Sequence, residues 1–298
     1  MKPRPLAVSA FRRNLTFTLC AFAAASLPAA AQGNGHANAS GHYKSTVTAS
    51  TRDASSHPPT ISGTGVRNFG SWLDDATVQD PGDAFVSLGF GFYKTPVFRE
   101  IDAPSIDSGF GVTSRLQVGM SVPYYYATVP GDATVHGLGD MYLSAKYQLR
   151  PPSATKTGVA VIPILEVLSV TPLTGSRVQF ALPVSIERQF THWRAMGSAG
   201  WFSRGAVFGA GAAEMELSDK LWLTTGLSWS YSTHDDPLST ALGFHRGRVD
   251  VSGGLTRALR PDVAIYANVG RTISARDDNS ASFIFSTGVS FGLKRPLQ

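Results

Sequence analysis

Residues 281–293 read ASFIFSTGVSFGL. The odd-numbered positions are mostly large and apolar, as at Phe283, Val289 and Phe291, while the even-numbered ones are mostly small or polar, as at Ser286. Successive side chains of a β-strand point to opposite faces, so this alternation predicts a strand with one apolar face and one polar face. The stretch is long enough to cross a bilayer, for which a strand needs about 9–11 residues.

The same alternation recurs along the chain from residue 84 onwards. The predicted strands are 84–93, 105–112, 115–126, 138–149, 157–170, 177–189, 192–203, 205–217, 220–232, 245–257, 262–273 and 281–293. Long connections such as 94–104 mostly follow odd-numbered strands, and short ones follow even-numbered strands. Bacterial outer-membrane barrels have an even number of strands, short periplasmic turns and longer external loops. The pattern therefore predicts an all-β fold, a transmembrane antiparallel up-and-down β-barrel of about 12 strands with both termini periplasmic. Counts of ten or fourteen strands stay open.

Aromatic residues fall near the predicted strand ends. Those next to long loops are Tyr93, Tyr124, Tyr125, Tyr126, Trp201, Phe202, Trp229 and Tyr231, and those next to short turns are Tyr147, Phe190, Trp193 and Phe291. Amphipathic rings favour the two membrane–water interfaces, so two belts indicate a membrane barrel. A soluble β-sandwich also alternates, but it needs neither two aromatic belts nor alternating loop lengths.

The first 31 residues have the three parts of a cleaved secretory signal peptide. Their basic residues are Lys2, Arg4, Arg12 and Arg13. An apolar run follows at 15–27, and small residues precede Gln32. Removing this signal leaves 22 of the 26 basic residues against 21 acidic ones, and it also removes Cys20, the single cysteine. The charge balance therefore does not indicate nucleic-acid binding. The signal and the barrel pattern together predict the outer membrane of a Gram-negative bacterium.

Residues 32–82 differ in composition from the strands that follow. The stretch 32–59 is rich in Gly, Ser, Asn and Thr and has little to bury, which predicts a flexible polar segment. Nearer the barrel, Trp72 and Leu73 precede Asp74 and Asp75. Two alternatives are open for this part: a plug whose carboxylates meet lumen arginines, or a leader in the periplasm, which the composition slightly favours. The predicted organisation is then 1–31 signal, 32–82 polar segment and 83–298 barrel.

Three stretches resemble the family of outer-membrane barrels assigned to the meta-pathway of phenol degradation. They are GFGVTSRLQVGMSVPY at 109–124, GLGDMYLSAKYQLR at 137–150 and LTRALRPDVAIYANVGR at 255–271. The resemblance spans roughly residues 84–293. It implies an outer-membrane protein for the uptake of aromatic or other apolar compounds, and it supplies no catalytic residues.

The sequence does not predict an enzyme. It lacks the Gly-x-Ser-x-Gly elbow of many hydrolases. His136 near Asp140, and His234, are conceivable bases of an outer-membrane lipid hydrolase, but loop histidines of this kind are more often solvated. No catalytic residue, metal site or cofactor is predicted. The expected partners are membrane lipid, the outer-membrane assembly machinery and a small-molecule solute, with the chain acting as a monomer that binds no nucleic acid.

Strand parity assigns a set of charged residues to the barrel interior. They are Arg115, Asp140, Lys146, Glu166, Glu187, Arg194, Glu214, Glu216, Arg246, Arg248 and Asp250. A charge that faces lipid at the bilayer midplane costs about 2–4 kcal/mol, so the fold alone requires these side chains to face inward. They predict either a selective polar pathway, and so a channel or transporter, or a salt-bridged lumen that fills a structural or adhesive barrel.

Overall fold

The structure is a computed structural model, and it describes residues 73–131, 134–169, 176–203, 205–234, 245–274, 276–278 and 280–294. The predicted signal peptide and residues 32–72, including Trp72, lie outside the described residues. Fifteen strand segments are present: β1 (Ala84–Lys94), β2 (Arg99–Thr113), β3 (Leu116–Thr128), β4 (Val135–Leu138), β5 (Met141–Arg150), β6 (Gly158–Val161), β7 (Ile164–Val167), β8 (Val178–Ala181), β9 (Val184–Gln189), β10 (Trp193–Phe202), β11 (Ala206–Ser218), β12 (Leu221–Ser232), β13 (Gly247–Arg260), β14 (Val263–Ser274) and β15 (Phe283–Leu293).

These segments form a closed antiparallel barrel of 12 strands, because β4–β5, β6–β7 and β8–β9 are each one strand with a short interruption. The barrel closes where β1 pairs with β15, from Ala84 opposite Leu293 to Lys94 opposite Phe283. The predicted antiparallel barrel and its number of strands are confirmed, and the periplasmic location of both termini stays a prediction. In a closed barrel every strand has two neighbours, so no edge is left with unpaired backbone groups.

Two of the interruptions come from prolines on neighbouring strands. Pro163 separates β6 from β7, and Pro183 separates β8 from β9. Proline has no backbone N–H and cannot donate to a ladder. Its carbonyl still accepts, so Ala145 donates to Pro163 at 3.0 Å and Ile162 donates to Pro183 at 2.9 Å. At both positions the proline carbonyl therefore keeps its place in the ladder, and only the N–H donor is missing.

Inward and outward positions follow the predicted alternation. On β14, the outward Ile265 and Val269 are 41% and 50% exposed, whereas the inward Tyr266 and Asn268 are 5% and 6% exposed. A belt of exposed aliphatic and aromatic side chains covers the outside of the barrel, and polar side chains dominate the buried inner face. This distribution is inside-out relative to a soluble domain and is typical of barrels in lipid. Among the described residues, no helix is long and apolar enough to cross a membrane.

The connections divide the barrel into two ends. The short-turn end carries the links 114–115, 151–157, 190–192, 219–220 and 261–262, and β1 begins and β15 ends there. The opposite end, here called the long-loop end, carries 129–134, 168–177, 233–246 and 275–282, together with two short links. One of these, 203–205, contains the tight connection expected near residue 204.

The other short link, 95–98, contradicts the predicted long loop 94–104. Thr95 closes a tight turn by accepting from Phe98 N at 3.0 Å, and β2 begins at Arg99. The register then shifts between Asp102 and Ser105. Inward positions are even-numbered before the shift and odd-numbered after it, so the sequence alternation breaks inside a continuous strand.

The two aromatic belts are present on the outside, but three of the aromatics assigned to them point inward. Tyr126, Trp201, Trp229 and Tyr231 are exposed at the long-loop end, and Tyr147, Trp193 and Phe291 are exposed at the short-turn end. Tyr93, Tyr125 and Phe202 are instead buried. Their positions follow from the same parity that sends their sequence neighbours outward.

Candidate functional site

Residues 73–79, here called the lumen segment, lie inside the barrel. None of the seven is more than 5% exposed. Their partners are inward side chains of the wall: Gln117, Lys146, Gln148, Glu187, Arg194, Met196 and Ala212. Of the two alternatives for this part of the chain, a plug and a periplasmic leader, the leader is therefore wrong for residues 73–79.

Lys146 of β5 is the main cationic contact of the lumen segment. Its Nζ donates to Asp74 Oδ1 at 2.7 Å, to Asp75 Oδ1 at 2.9 Å and to the Thr77 carbonyl at 2.9 Å. An ammonium group has three donors, so these contacts use its full capacity. Lys146 is 2% exposed, and the carboxylates it contacts in the described chain both come from the lumen segment.

Arg194 of β10 joins the segment to two glutamates of the wall. Its Nε donates to Glu214 Oε1 at 2.8 Å, and its NH1 lies 3.3 Å from Asp75 Oδ2 and 3.6 Å from Glu187 Oε1. Two of the three carboxylates around Arg194, those of Glu187 and Glu214, thus belong to the wall. In the described residues, the predicted meeting of the segment with a lumen arginine is seen at Arg194.

The segment's backbone and neutral side chains are also matched by the wall. Glu187 Oε2 accepts from the Ala76 amide at 3.2 Å and from Thr77 Oγ1 at 2.8 Å. Gln148 donates to the Ala76 carbonyl at 2.8 Å. Gln117 accepts from the Gln79 amide at 2.9 Å. Buried backbone groups need such partners, and the wall provides them for three backbone groups of the segment.

The segment leaves the lumen at the short-turn end through a close backbone contact. Gly82, at φ 87°, donates to the Gly111 carbonyl at 2.8 Å, and Gly111 donates to the Asp83 carbonyl at 2.9 Å. A Cβ at Gly111 would overlap the backbone of Asp80. Glycine is required at this point of β2 because the incoming chain lies directly against it.

Carboxylates outnumber cations around the segment. Asp74, Asp75, Glu187 and Glu214 face Lys146 and Arg194. Asp74 lies on the lumen segment and not on a strand; burial raises the pKa of its carboxyl to about 7 against the opposing attraction of Lys146, and Asp75 adds to the rise.

The remaining inward charges form separate contacts nearer the long-loop end. Tyr142 donates to Glu166 Oε1 at 2.8 Å, and Ser169 donates to Asp140 through its amide and hydroxyl at 2.7 and 2.9 Å. Arg248 pairs with Asp250 at 3.0 Å. All four charged residues are buried, with exposures of 9% or less. Glu216 lies at the short-turn end, 3.9 Å from His192.

Two residues assigned to the lumen lie elsewhere. Arg115 is exposed in the two-residue turn between β2 and β3, because β3 begins one residue later than predicted. Arg246 precedes β13; its Nε donates to the Ser232 carbonyl at 3.0 Å, and its guanidinium packs over Tyr231 at 5.0 Å. Tyr231 is an outward residue, so Arg246 lies against the outer surface at the long-loop end.

Sequence analysis missed three inward acids and two apolar clusters. Glu100, Asp102 and Asp107 are buried on β2. The first apolar cluster is buried on one side of the wall and comprises Tyr142, Ile162, Ile164, Ala181, Phe202 and Phe208. The second cluster lies near the long-loop end and comprises Tyr93, Phe98, Ala281 and Ile284. The signal for the first cluster was present, since 157–170 is apolar on both faces.

The two histidines considered as bases of a hydrolase both contact hydroxyl groups in the described part of the chain. His136 Nδ1 lies 2.9 Å from the Tyr124 hydroxyl and the ring packs beside Tyr126, while Asp140 binds Ser169. His234 Nδ1 lies 3.1 Å from Thr233 Oγ1. Among the described residues, no group of three or more potential ligands could hold a metal ion.

Comparisons with known proteins bear on the fold. No protein-family model matches the chain, and no curated protein matches it. Among solved structures it is similar to the NanC porin at a TM-score of 0.51 and 11% identity, over 70% of this chain and 100% of that chain. It is similar to the KdgM porin at a TM-score of 0.49 and 11% identity, over 70% of this chain and 99% of that chain. It is similar to the CymD monoaromatic hydrocarbon channel at a TM-score of 0.41 and 9% identity, over 74% of this chain and 90% of that chain. The chain therefore has the fold of an outer-membrane porin, a 12-stranded antiparallel barrel. Its particular feature is a lumen that holds a segment of its own chain.

Proposed function

We propose that the protein is an outer-membrane channel that passes small solutes without a catalytic step. The observation that carries this proposal is the lumen itself. A wall with an apolar outside encloses an inner face rich in buried charges, and the seven residues 73–79 are buried against that face. A barrel of this size lies between small barrels that side chains fill and wide aqueous porins, which favours a narrow pathway. Membrane lipid and the assembly machinery are the partners that such a barrel needs, and closure of its own sheet makes a monomer sufficient.

Aromatic or other apolar compounds are the solutes we propose. The resemblance to the phenol-degradation barrel family implies them, and the two apolar clusters on the inner face are compatible with them. Ten carboxylates and three cationic side chains are buried in the described chain. This excess of acid disfavours polyanions, such as the oligogalacturonate named for one complex of the KdgM porin.

A plugged structural barrel is the second candidate. It is favoured by the lumen segment, which satisfies both the charges and the backbone of the site that it occupies. The two candidates differ in whether the segment ever leaves. A channel requires that it does, whereas a structural barrel gains rigidity if it does not.

Planar bilayers and solute-loaded liposomes together test the proposal. We expect discrete single-channel currents from the full mature chain, and faster liposome swelling with phenol-sized neutral solutes than with oligosaccharides. A lipid hydrolysis assay on the same preparation tests the enzymatic alternative. Silent bilayers and impermeable liposomes, whether or not lipid is hydrolysed, would refute the channel.

A further inference from the structure

We propose that Lys146 and Arg194, with the apolar surface of Met196 and Ala212 beside them, form a binding site for a small carboxylic acid with an apolar body. The lumen segment occupies this site as a tethered ligand, and such a solute opens the channel by competing with it. This inference rests on the proposed channel function and adds the chemical class of the solute.

The first support is the chemistry of the present occupant. Within residues 73–75, Leu73 packs on Met196 and Ala212, and the next two residues place carboxylates on Lys146 and Arg194. An apolar group beside a carboxylate is therefore what the wall binds. A solute with the same two parts would make the same contacts.

The second support is the way that charge is distributed between wall and segment. Arg194 has Glu214 at 2.8 Å and Glu187 at 3.6 Å, both from the wall. The carboxylates that Lys146 contacts in the described chain are Asp74 and Asp75. If the segment leaves, a buried ammonium loses these two carboxylates, which is unfavourable unless another anion or water replaces them. Lys146 therefore favours a ligand that carries a carboxylate.

The rest of the inner face limits the charge of the solute. Glu100, Asp102, Asp107, Asp140, Glu166 and Asp250 are buried on the inner side of the wall. A polyanion would need several cationic partners, whereas the buried cations of the described chain are Lys146, Arg194 and Arg248, and the last two already face wall carboxylates. The expected class is therefore a monocarboxylate, and benzoate is a suitable probe.

Binding to the full mature chain in detergent micelles, measured by calorimetry, tests the site directly. Benzoate should bind at least about tenfold more tightly than benzyl alcohol, which has the same ring without the charge, because charge-assisted hydrogen bonds are the stronger kind. Lys146→Met should weaken benzoate binding relative to benzyl alcohol binding by at least about tenfold, because both ligands compete with the same segment and only benzoate loses a charge-assisted contact.

Weakening the tethered ligand should have the opposite effect. The double variant Asp74→Asn, Asp75→Asn should bind benzoate several-fold more tightly than the natural chain, because its segment competes less well for the site. Asp219→Asn, which makes the same type of substitution once in an exposed turn, should bind like the natural chain. Because damage to the fold lowers affinity, tighter binding by the double variant is specific to competition, and it decides the matter even if Lys146→Met fails to fold.

Single-channel recording separates this inference from the channel function. In the natural chain, benzoate should raise the fraction of time spent open, and benzyl alcohol should not. Equal affinity for benzoate and benzyl alcohol, or weaker benzoate binding by the double variant, would overturn the site while leaving a conducting channel intact. Selective benzoate binding by a barrel that never conducts would support the site and refute the channel.

Discussion

The inside-out character of the barrel predicts that the same substitution has different costs at different heights on its outer face. Val269 lies near the middle of β14, opposite Gly253 and Phe285, and is 50% exposed. Leu149 lies near the end of β5 at the short-turn end and is 52% exposed. In water the two positions would tolerate arginine equally, since neither side chain is buried.

In lipid, Val269→Arg places a charge near the bilayer midplane and should cost about 2–4 kcal/mol of folding free energy. Leu149→Arg places it beside the headgroups and should cost about 0–1 kcal/mol. The difference of about 2–3 kcal/mol corresponds to a change of roughly 30- to 150-fold in the folding equilibrium constant.

Folding from urea into liposomes measures this difference. The folded fraction of each variant is read from its mobility on unheated gels, and the urea midpoint gives the free energy. The natural chain and Val269→Leu serve as controls for the method and for the change in side-chain size. Equal destabilisation by the two arginines would show that the apolar outer belt does not face hydrocarbon.

Two further predictions concern the lumen segment. Replacing residues 73–79 by a glycine–serine stretch of equal length should enlarge the single-channel current, because the site would lose its charge-matched occupant; an unchanged current would show that the segment does not obstruct the pathway. Gly111→Ala should reduce the free energy of unfolding by about 1–3 kcal/mol in a urea titration, since the added Cβ would overlap the backbone of Asp80. The control Gly137→Ala, whose nearest neighbour would be 3.8 Å away, should cost less, and equal losses would contradict the close contact.

The fold could be predicted because the alternation in strands such as β14 and β15 is set by lipid on one side of each strand and the lumen on the other. Where that pattern was broken, the prediction failed. The register shift between Asp102 and Ser105 moves the inward positions from even to odd numbers, so the first part of β2 was predicted as a loop and the inward acids Glu100 and Asp102 were missed. Parity cannot be carried across an irregularity whose position is unknown.

The site was only partly predictable. Strand parity predicts whether a side chain faces the lumen or the outside, but it does not predict how far along the barrel axis the residue lies. Lys146, Glu187 and Arg194 point inward as expected, whereas Arg115 lies in a turn and Arg246 lies on the outer surface beyond the end of the wall. The partner of Lys146 was not foreseen, since Asp74 precedes it by 72 residues and no local pattern links them. The composition of 32–59 also suggested a solvated leader, whereas the described residues 73–79 lie inside the barrel.

The short link between the lumen segment and the first strand has a consequence for the solute concentration at which the channel would respond. Only residues 80–83 separate the segment from β1, and the contacts of Gly82 and Asp83 with Gly111 hold that link in place. A ligand on such a short tether has an effective local concentration in the millimolar range or above. A free acid with the same intrinsic affinity must reach a comparable concentration before it displaces the segment. The tether would thus make the barrel insensitive to traces of solute and responsive to abundance, and lengthening residues 80–83 would lower that threshold without altering any contact in the site.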